Sequence, residues 1–308
     1  MQNGMPKTMK VDTDRKRKIQ ILAGNRVMSQ EIVYVIKGNG DRVPFDENKL
    51  RRALKNSGAA TKDVERAMSA VKKELYQGIT TRKIYQTAYR ILKRSSKHSA
   101  GRYRLKKAIM ELGPSGYPFE KFMGRIMESR GYQSAVNVHI KGKCVEHEVD
   151  VVARNQKEQV MIECKYHSDS KRNCDVKVVL YIESRFKDVA AAWQKENPDS
   201  DLCYYGMVAT NTRFSEDAIQ YAECAGLRLV SWDYPAGNSL KNWIDQSGYH
   251  PITSLSELKL AEKQFLLEKG VVLCRDIPNH IPLLEEMGLS ELRIEKLLAE
   301  AGLLAGEV

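Results

Sequence analysis

No stretch of this 308-residue chain stays apolar for the length of a membrane span, and its first residues lack the apolar core of a secretory signal. A soluble, cytoplasmic protein with no membrane partner is expected. None of the six cysteines (Cys144, Cys164, Cys174, Cys203, Cys224 and Cys274) forms a C-x-x-C pair, which argues against a zinc ribbon, and their wide separation argues against a disulfide scaffold. Reduced core thiols are the remaining reading. No Gly-x-x-x-x-Gly-Lys-Ser/Thr loop occurs, so the chain is not a P-loop hydrolase, and any nucleotide is sensed rather than burned. His147-Glu148 lacks the second histidine of a zinc protease. The most telling absence is local. Residues 76–110 contain no acid, yet they hold ten bases: Arg82, Lys83, Arg90, Lys93, Arg94, Lys97, Arg102, Arg104, Lys106 and Lys107. Within a chain of net charge +11, that stretch should face a polyanion, either nucleotide or nucleic acid. Residues 254–308 carry ten acids against six bases and should not grip phosphates.

The organisation follows from periodicity and punctuation. Residues 1–30 are polar and basic, with Arg15-Lys16-Arg17-Lys18, and read as a flexible arm. A strand over 32–36 turns at Gly38-Asn39-Gly40 and returns through Val43 to Phe45, a β-hairpin. Asp46 then caps a helix with Leu50, Ala53 and Leu54, and further helices are expected over 61–76, 81–92 and 100–112, stopped by Gly113-Pro114. Phe119, Phe122, Met123, Ile126 and Met127 share one face of the next helix. Strands near 135–139, 144–152 and 159–166 precede a helix whose Val179, Ile182, Phe186, Val189 and Trp193 recur at helical spacing behind an Asp175 cap. A strand over 205–211, a helix over 215–225 and a strand over 227–232 complete an α/β pattern with the sheet covered on both sides. The tail from Pro251 is helical and is expected to serve packing or dimerisation. The expected domains are the arm, residues 31–112, residues 113–240 and a small helical region over 241–308.

Between Asp150 and His167 the chain places a carboxylate, a turn and then an acid and a lysine on an apolar run, Val160-Met161-Ile162-Glu163-Cys164-Lys165. The acid-x-Lys pattern alone is common here, occurring also at Asp14, Glu47, Asp169, Asp175 and Glu257, so context must decide. Side chains alternate across a strand, so Glu163 and Lys165 share a face, as do Glu146, Glu148 and Asp150 on the preceding strand. If these strands pair through a turn at 154–158, Asp150 meets Glu163 and Lys165. Two acids beside a lysine suit a divalent metal and an activated water.

Two resemblances sharpen this reading. Val35-Ile36-Lys37 before the glycine turn, Val43-Pro44-Phe45-Asp46-Glu47-Asn48-Lys49-Leu50-Arg51-Arg52, Gly78-Ile79-Thr80-Thr81-Arg82-Lys83 and Ala100-Gly101-Arg102-Tyr103-Arg104-Leu105 resemble the ATP cone, a regulatory nucleotide-binding module. The resemblance implies that Val35, Lys37, Lys49, Arg52, Thr81 and a late base such as Lys106 line a pocket for ATP or dATP. The turn departs from the family's usual Lys-Arg-Asp-Gly by reading Lys37-Gly38-Asn39-Gly40. Phe119-Glu120, Gly131-Tyr132, His147-Glu148-Val149-Asp150, Glu163-Cys164-Lys165 and Thr210-Asn211, through Trp232-Asp233, resemble the PD-(D/E)xK nucleases of the Mrr-like restriction endonuclease group. This implies that Asp150, Glu163 and the carbonyl of Cys164 hold Mg²⁺, that Lys165 orients and polarises water, and that Glu120 supports the metal or a second ion. His147 is expected to be structural or to contact DNA, and Tyr181 and Arg185 to contact phosphate or to pack. Together these imply a metal-dependent DNA endonuclease regulated by ATP or dATP, with DNA and nucleotide as partners and a homodimer left open. The alternative is a nucleotide-responsive DNA-binding regulator with a silent nuclease fold.

Overall fold

The computed structural model describes residues 32–38, 40–198 and 201–306. The arm expected over residues 1–30 lies outside them. Strand β1 (Tyr34–Ile36) pairs antiparallel with β2 (Arg42–Pro44), giving the expected hairpin. Helix α1 (Glu47–Asn56) starts where Asp46 accepts the Lys49 N–H at 2.9 Å. Helix α2 (Thr61–Lys73) follows, then β3 (Ile79–Thr80), a two-residue strand the sequence reading did not separate, which adds to β1 in parallel. Helix α3 (Thr81–Ser95) is capped by the hydroxyl of Thr80, so Thr81 is already its first helical residue. The helix expected over 100–112 is two helices, α4 (Lys97–Tyr103) and α5 (Leu105–Met110), meeting at Arg104. Val35, Leu50, Leu54, Met68, Val71, Ile79 and Leu92 form a small core of their own.

The central sheet begins after helix α6 (Tyr117–Ser129). Strands β4 (Gln133–Lys141), β5 (Glu146–Arg154) and β6 (Glu158–Lys165) run as an antiparallel meander. The short β7 (Asn173–Cys174) and helix α7 (Val176–Glu196) lead to β8 (Cys203–Thr210), parallel to β6. The short β9 (Arg213–Phe214) pairs with β7, and helix α8 (Glu216–Ala225) carries the chain to β10 (Arg228–Val230), parallel to β8. The sheet order is β10-β8-β6-β5-β4. Strand β6 reads as an apolar run because it is central and covered on both faces. On one side Met161, Val208 and Leu229 pack with Val179, Ile182, Val189 and Trp193 of α7, the helical stripe expected from spacing. On the other, Val160, Ile162 and Met207 pack with Phe119, Phe122, Ile126 and Met127 of α6. Gly124 lets α6 lie close to the sheet, since a Cβ there would sit 2.9 Å from Val136 Cγ2.

Helix α9 (Leu240–Ser247), a 3-10 turn (Ile252–Ser254), α10 (Leu260–Glu268), a second 3-10 segment (Cys274–His280), α11 (Ile281–Glu286) and α12 (Glu291–Ala305) complete the chain. These helices are part of the main core: Leu240, Trp243, Leu266, Ile277, Leu297 and Leu304 belong to one apolar cluster with the α6 face and with Leu105, Ile109 and Leu112. Arg125 of α6 forks onto Asp276 at 2.9 and 3.1 Å, and the Thr253 hydroxyl donates to the Ala108 carbonyl at 2.7 Å. The C-terminal helices thus pack within the chain against both preceding parts.

One tyrosine ties the first part to the sheet. Tyr166, directly after Lys165, accepts the Gly113 N–H at 2.9 Å and donates to the Met110 carbonyl at 2.7 Å. Residue 113 must be glycine there, because a Cβ would lie 2.6 Å from the Tyr166 ring. Tyr166→Phe keeps the ring and orphans both groups, so urea unfolding should show a loss of about 1–3 kcal/mol.

Candidate active site

Strand β5 keeps its pairing with β6 from Arg154↔Gln159 to Val151↔Ile162, and there the ladder ends. Just beyond it, the Asp150 carboxylate takes the Cys164 N–H at 2.6 Å. On the other side of β5 the register passes from Val136↔Val151 to Val138↔Val149, and the skipped Asn137 has φ 57°, left-handed backbone inside a strand. The simple alternation expected along β5 is interrupted at this point: Val151 packs beneath α6 while Val149 packs with α7. Asp150 therefore stands at a kink, at the end of the turn-paired strands, where the register expectation put it.

Glu163 is buried, at 5% exposure, near the end of a central strand. An isolated charge there would cost several kcal/mol, and two cations offset it. Lys165 Nζ lies 2.5 Å from its Oε1 and Arg185 Nη1 lies 2.8 Å from its Oε2. Arg185 also donates through Nη2 to the Glu148 carbonyl, fastening α7 to β5. This makes Arg185 a member of the centre, held by the carboxylate rather than left over for packing. The sequence spacing showed only that it lies one helical turn from Tyr181.

Four carboxylates, Glu120, Glu148, Asp150 and Glu163, share this space with Lys165 and Arg185. Burial and then the surplus of acid raise the pKa of two of them, Asp150 and Glu120. Burial, then the charge of Glu163, push Asp150 up to about 6 against the pull of the Cys164 N–H. Glu120, in the first turn of α6, is pushed up to about 7 by burial and then by Asp150, Glu163 and Glu148. Lys165 is raised despite its burial, through its hydrogen bond to Glu163 and the charges of Glu163 and Asp150. Among the described residues no three acids, histidines or cysteines converge as a ready ligand set. The oxygens that could serve a metal are the two carboxylates of Asp150 and Glu163 and the carbonyl of Cys164, the residue after Glu163. All are oxygens, and mutual repulsion among the acids is what a divalent cation relieves, so the residues fit Mg²⁺ rather than a softer metal. The Cys164 thiol itself is buried and pushed well up, mainly by burial, as befits a core group and not a thiolate ligand.

Surrounding side chains fix the strand ends. The Thr210 hydroxyl donates to the Lys165 carbonyl at 2.7 Å, and Asn211 both accepts the His167 N–H and donates to the His167 carbonyl, each at 2.8 Å. His147 Nε2 meets Asp188 Oδ2 at 2.8 Å, and Asp188 of α7 also takes the Cys144 N–H at 2.8 Å, so Asp188 closes the β4–β5 turn onto α7 with His147 paired beside it.

The residues expected to hold nucleotide lie elsewhere, around β1, α1, α3 and α5. Val35 is buried against Ile79, in register with it across β1 and β3. Lys37, Lys49 and Arg52 are exposed and enter no ion pair among the described residues. Thr81 is half-buried at the first position of α3. Lys106 lies against the other part of the chain. Its ammonium is 5.7 Å from the Trp232 ring centroid, and its pKa is lowered by burial, then by Arg213, and also by Lys49. Lys49 and Lys106 are thus within electrostatic reach of each other, across the join between cone and sheet.

The raised acid pKa values make a linkage prediction. An acid that is harder to ionise folded than unfolded binds more protons in the native state, so stability falls as pH rises from about 4 to about 7. Asp150→Asn removes that penalty and can keep the Cys164 hydrogen bond. Melting scans should show the variant above wild type by on the order of 2–4 °C at pH 8, with the gap closing toward pH 4.

Comparison with known proteins agrees with this fold. Residues 33–107 match the ATP cone domain, residues 113–236 match a Restriction endonuclease domain, and residues 250–305 match the AF1548-like, C-terminal domain. An uncharacterized protein of Archaeoglobus fulgidus is 36% identical over 180 residues, covering 58% of this chain and 97% of the relative. The crystal structure of AF1548, a protein of unknown function, aligns with TM-score 0.50 at 33% identity, over 62% of this chain and all of that one. Can2 from Sulfobacillus thermosulfidooxidans, solved with cyclic tetra-adenylate, aligns with TM-score 0.28 at 13% identity over 65% of this chain and 51% of its own, too remote to bear on function. With a relative matched over nearly its whole length, a cone fused ahead of the endonuclease sheet and the family's own C-terminal helices behind it, the chain belongs to the AF1548-like family and carries an ATP cone joined to an Mrr-like restriction endonuclease domain.

Proposed function

We propose that the chain is a metal-dependent DNA endonuclease that hydrolyses phosphodiester bonds and answers to ATP or dATP at its cone. The observation that carries this reading is the meeting of Asp150, Glu163 and Lys165 where β5 and β6 part, with more carboxylate than cation around them. Asp150, Glu163 and the Cys164 carbonyl would hold Mg²⁺, which supplies positive charge to a phosphate under in-line attack. Lys165 brings an ammonium that can hydrogen-bond the attacking water and steady negative charge as it develops. Glu120, pushed up to about 7, can keep a proton near neutral pH or lend a carboxylate to a further ion. Arg185 holds Glu163 in one orientation.

For the nucleotide, Lys37, Lys49 and Arg52 offer uncompensated charge to a triphosphate, with Lys106 at the edge nearest the endonuclease sheet. A phosphate that attracts Lys106 changes its contact with Trp232, which gives bound nucleotide a differential interaction with two arrangements of the join.

Supercoiled DNA with Mg²⁺ tests the first claim: Lys165→Ala and Asp150→Ala should each cut at least about a hundredfold more slowly than wild type, with melting curves showing a folded chain. Undiminished cutting by either variant sinks the assignment, and a mobility shift without nicking by wild type favours the silent regulator. Calorimetric titration with ATP and dATP tests the second. Lys106→Ala should weaken nucleotide binding by about tenfold, the worth of one charge-assisted hydrogen bond, and should blunt the response of cutting to nucleotide.

A further inference from the structure

Helix α7 presents a second feature beside the catalytic centre. Lys177, Tyr181 and Arg185 are spaced four apart and form one stripe along the helix. One end of the stripe is anchored, since Arg185 holds Glu163 at 2.8 Å. The guanidinium also stands 5.5 Å from the Tyr181 ring centroid, so a single side chain separates that ring from the carboxylate. Yet Tyr181 is 62% exposed, more than any other large apolar or aromatic side chain among the described residues, with Leu180 beside it at 42%. Lys177 is exposed and enters no ion pair among the described residues. Arg185 is accounted for by its ion pair, but neither core packing nor an ion pair among the described residues accounts for Tyr181 and Lys177, and the composition of the stripe is that of a nucleotide seat. An aromatic face stacks a base, the neighbouring cations meet its phosphates, and Arg185 braces the ring by cation–π contact.

Such a face is useful only for a base whose own face is free. In a continuous duplex both faces of every base are covered by their neighbours, and a ring on a helix surface meets only groove edges and backbone. We propose that Tyr181 is a stacking platform for an unpaired base next to the scissile phosphate, with Lys177 on an adjoining phosphate, so that the preferred substrate is single-stranded or locally unpaired DNA. The proposal rests on the endonuclease reading of the Glu163 centre, and its test is set apart from cutting.

The full chain, kept in EDTA so that nothing is cleaved, is titrated against three DNAs of one sequence: a single strand, a perfect duplex and a duplex with a short internal bubble, the unpaired bases carrying 2-aminopurine. Wild type should bind the single strand and the bubble more tightly than the duplex and should quench the 2-aminopurine. Tyr181→Ala should lose about tenfold on the unpaired substrates and the quench with it, while duplex binding stays within about twofold. Tyr181→Phe and Tyr181→Trp should retain both. Equal losses on all three DNAs, a wild-type preference for duplex, or binding without quench would each overturn the proposal, as would tighter binding to an RNA strand of the same sequence. Failure of Mg²⁺-dependent cutting alone would count against the endonuclease reading and leave these binding results standing.

Discussion

A buried carboxylate at the end of the central strand organises this molecule. Glu163 sits where burial makes a lone charge costly, and its two oxygens are met by cations from different elements: Lys165 from its own strand and Arg185 from α7. Because Arg185 reaches on to the Glu148 carbonyl, β5, β6 and α7 are all bound to one acid. The arrangement is only partly self-satisfied. Asp150 shares the space of the same carboxylate, and burial, then the charge of Glu163, push its pKa up to about 6. Removing either cation would leave Glu163 under-paired. The same interaction that fixes the strand ends therefore leaves the site short of positive charge, the condition a bound divalent cation would relieve.

That tension was partly visible in the sequence, for physical reasons that differ from residue to residue. Val160, Met161 and Ile162 mark β6 because a strand covered on both faces must be apolar throughout, so acid and lysine at its end stand out. The turn at 154–158 fixed which residues of β5 and β6 face each other, and with that the meeting of Asp150 and Glu163. The spacing of α7 was legible because its stripe packs on that sheet. Arg185 was not, since a helix phase says which face is buried but not which strand residue lies under a given side chain. The kink at Asp150 was hidden as well: Asn137 tolerates left-handed backbone without advertising it.

Other features escaped because local signals were degenerate. Thr80 and Thr81 are equally able to cap α3, and only the backbone shows that Thr80 does so. The tail's leucines at helical spacing are compatible with packing in the same chain or against a second copy, and the shared cluster with α6 selects the first for the residues that form it. The helix over 100–112 divides at Arg104 because its two halves serve different cores, with Ala100 in the cone cluster and Leu105 and Ile109 in the cluster beneath the endonuclease sheet.

That division bears on how nucleotide and DNA sites would communicate. Coupling needs an element with two arrangements that both sites bias, and a long wire of residues is not required. Here the sequence assigned to the cone runs on into the other core within a single step, from α4 to α5. Lys106 on α5 lies within electrostatic reach of Lys49 on the cone and against Trp232 on the sheet side, while the Tyr166 hydroxyl, one residue past Lys165, holds the end of that same helix at the Met110 carbonyl. A small rotation of α5 would therefore be felt at both ends without propagation through the sheet. The 3-10 turn at Ile252–Ser254 is tied to the same helix by the Thr253 hydroxyl on the Ala108 carbonyl, so any such rotation would have to carry or break that bond as well.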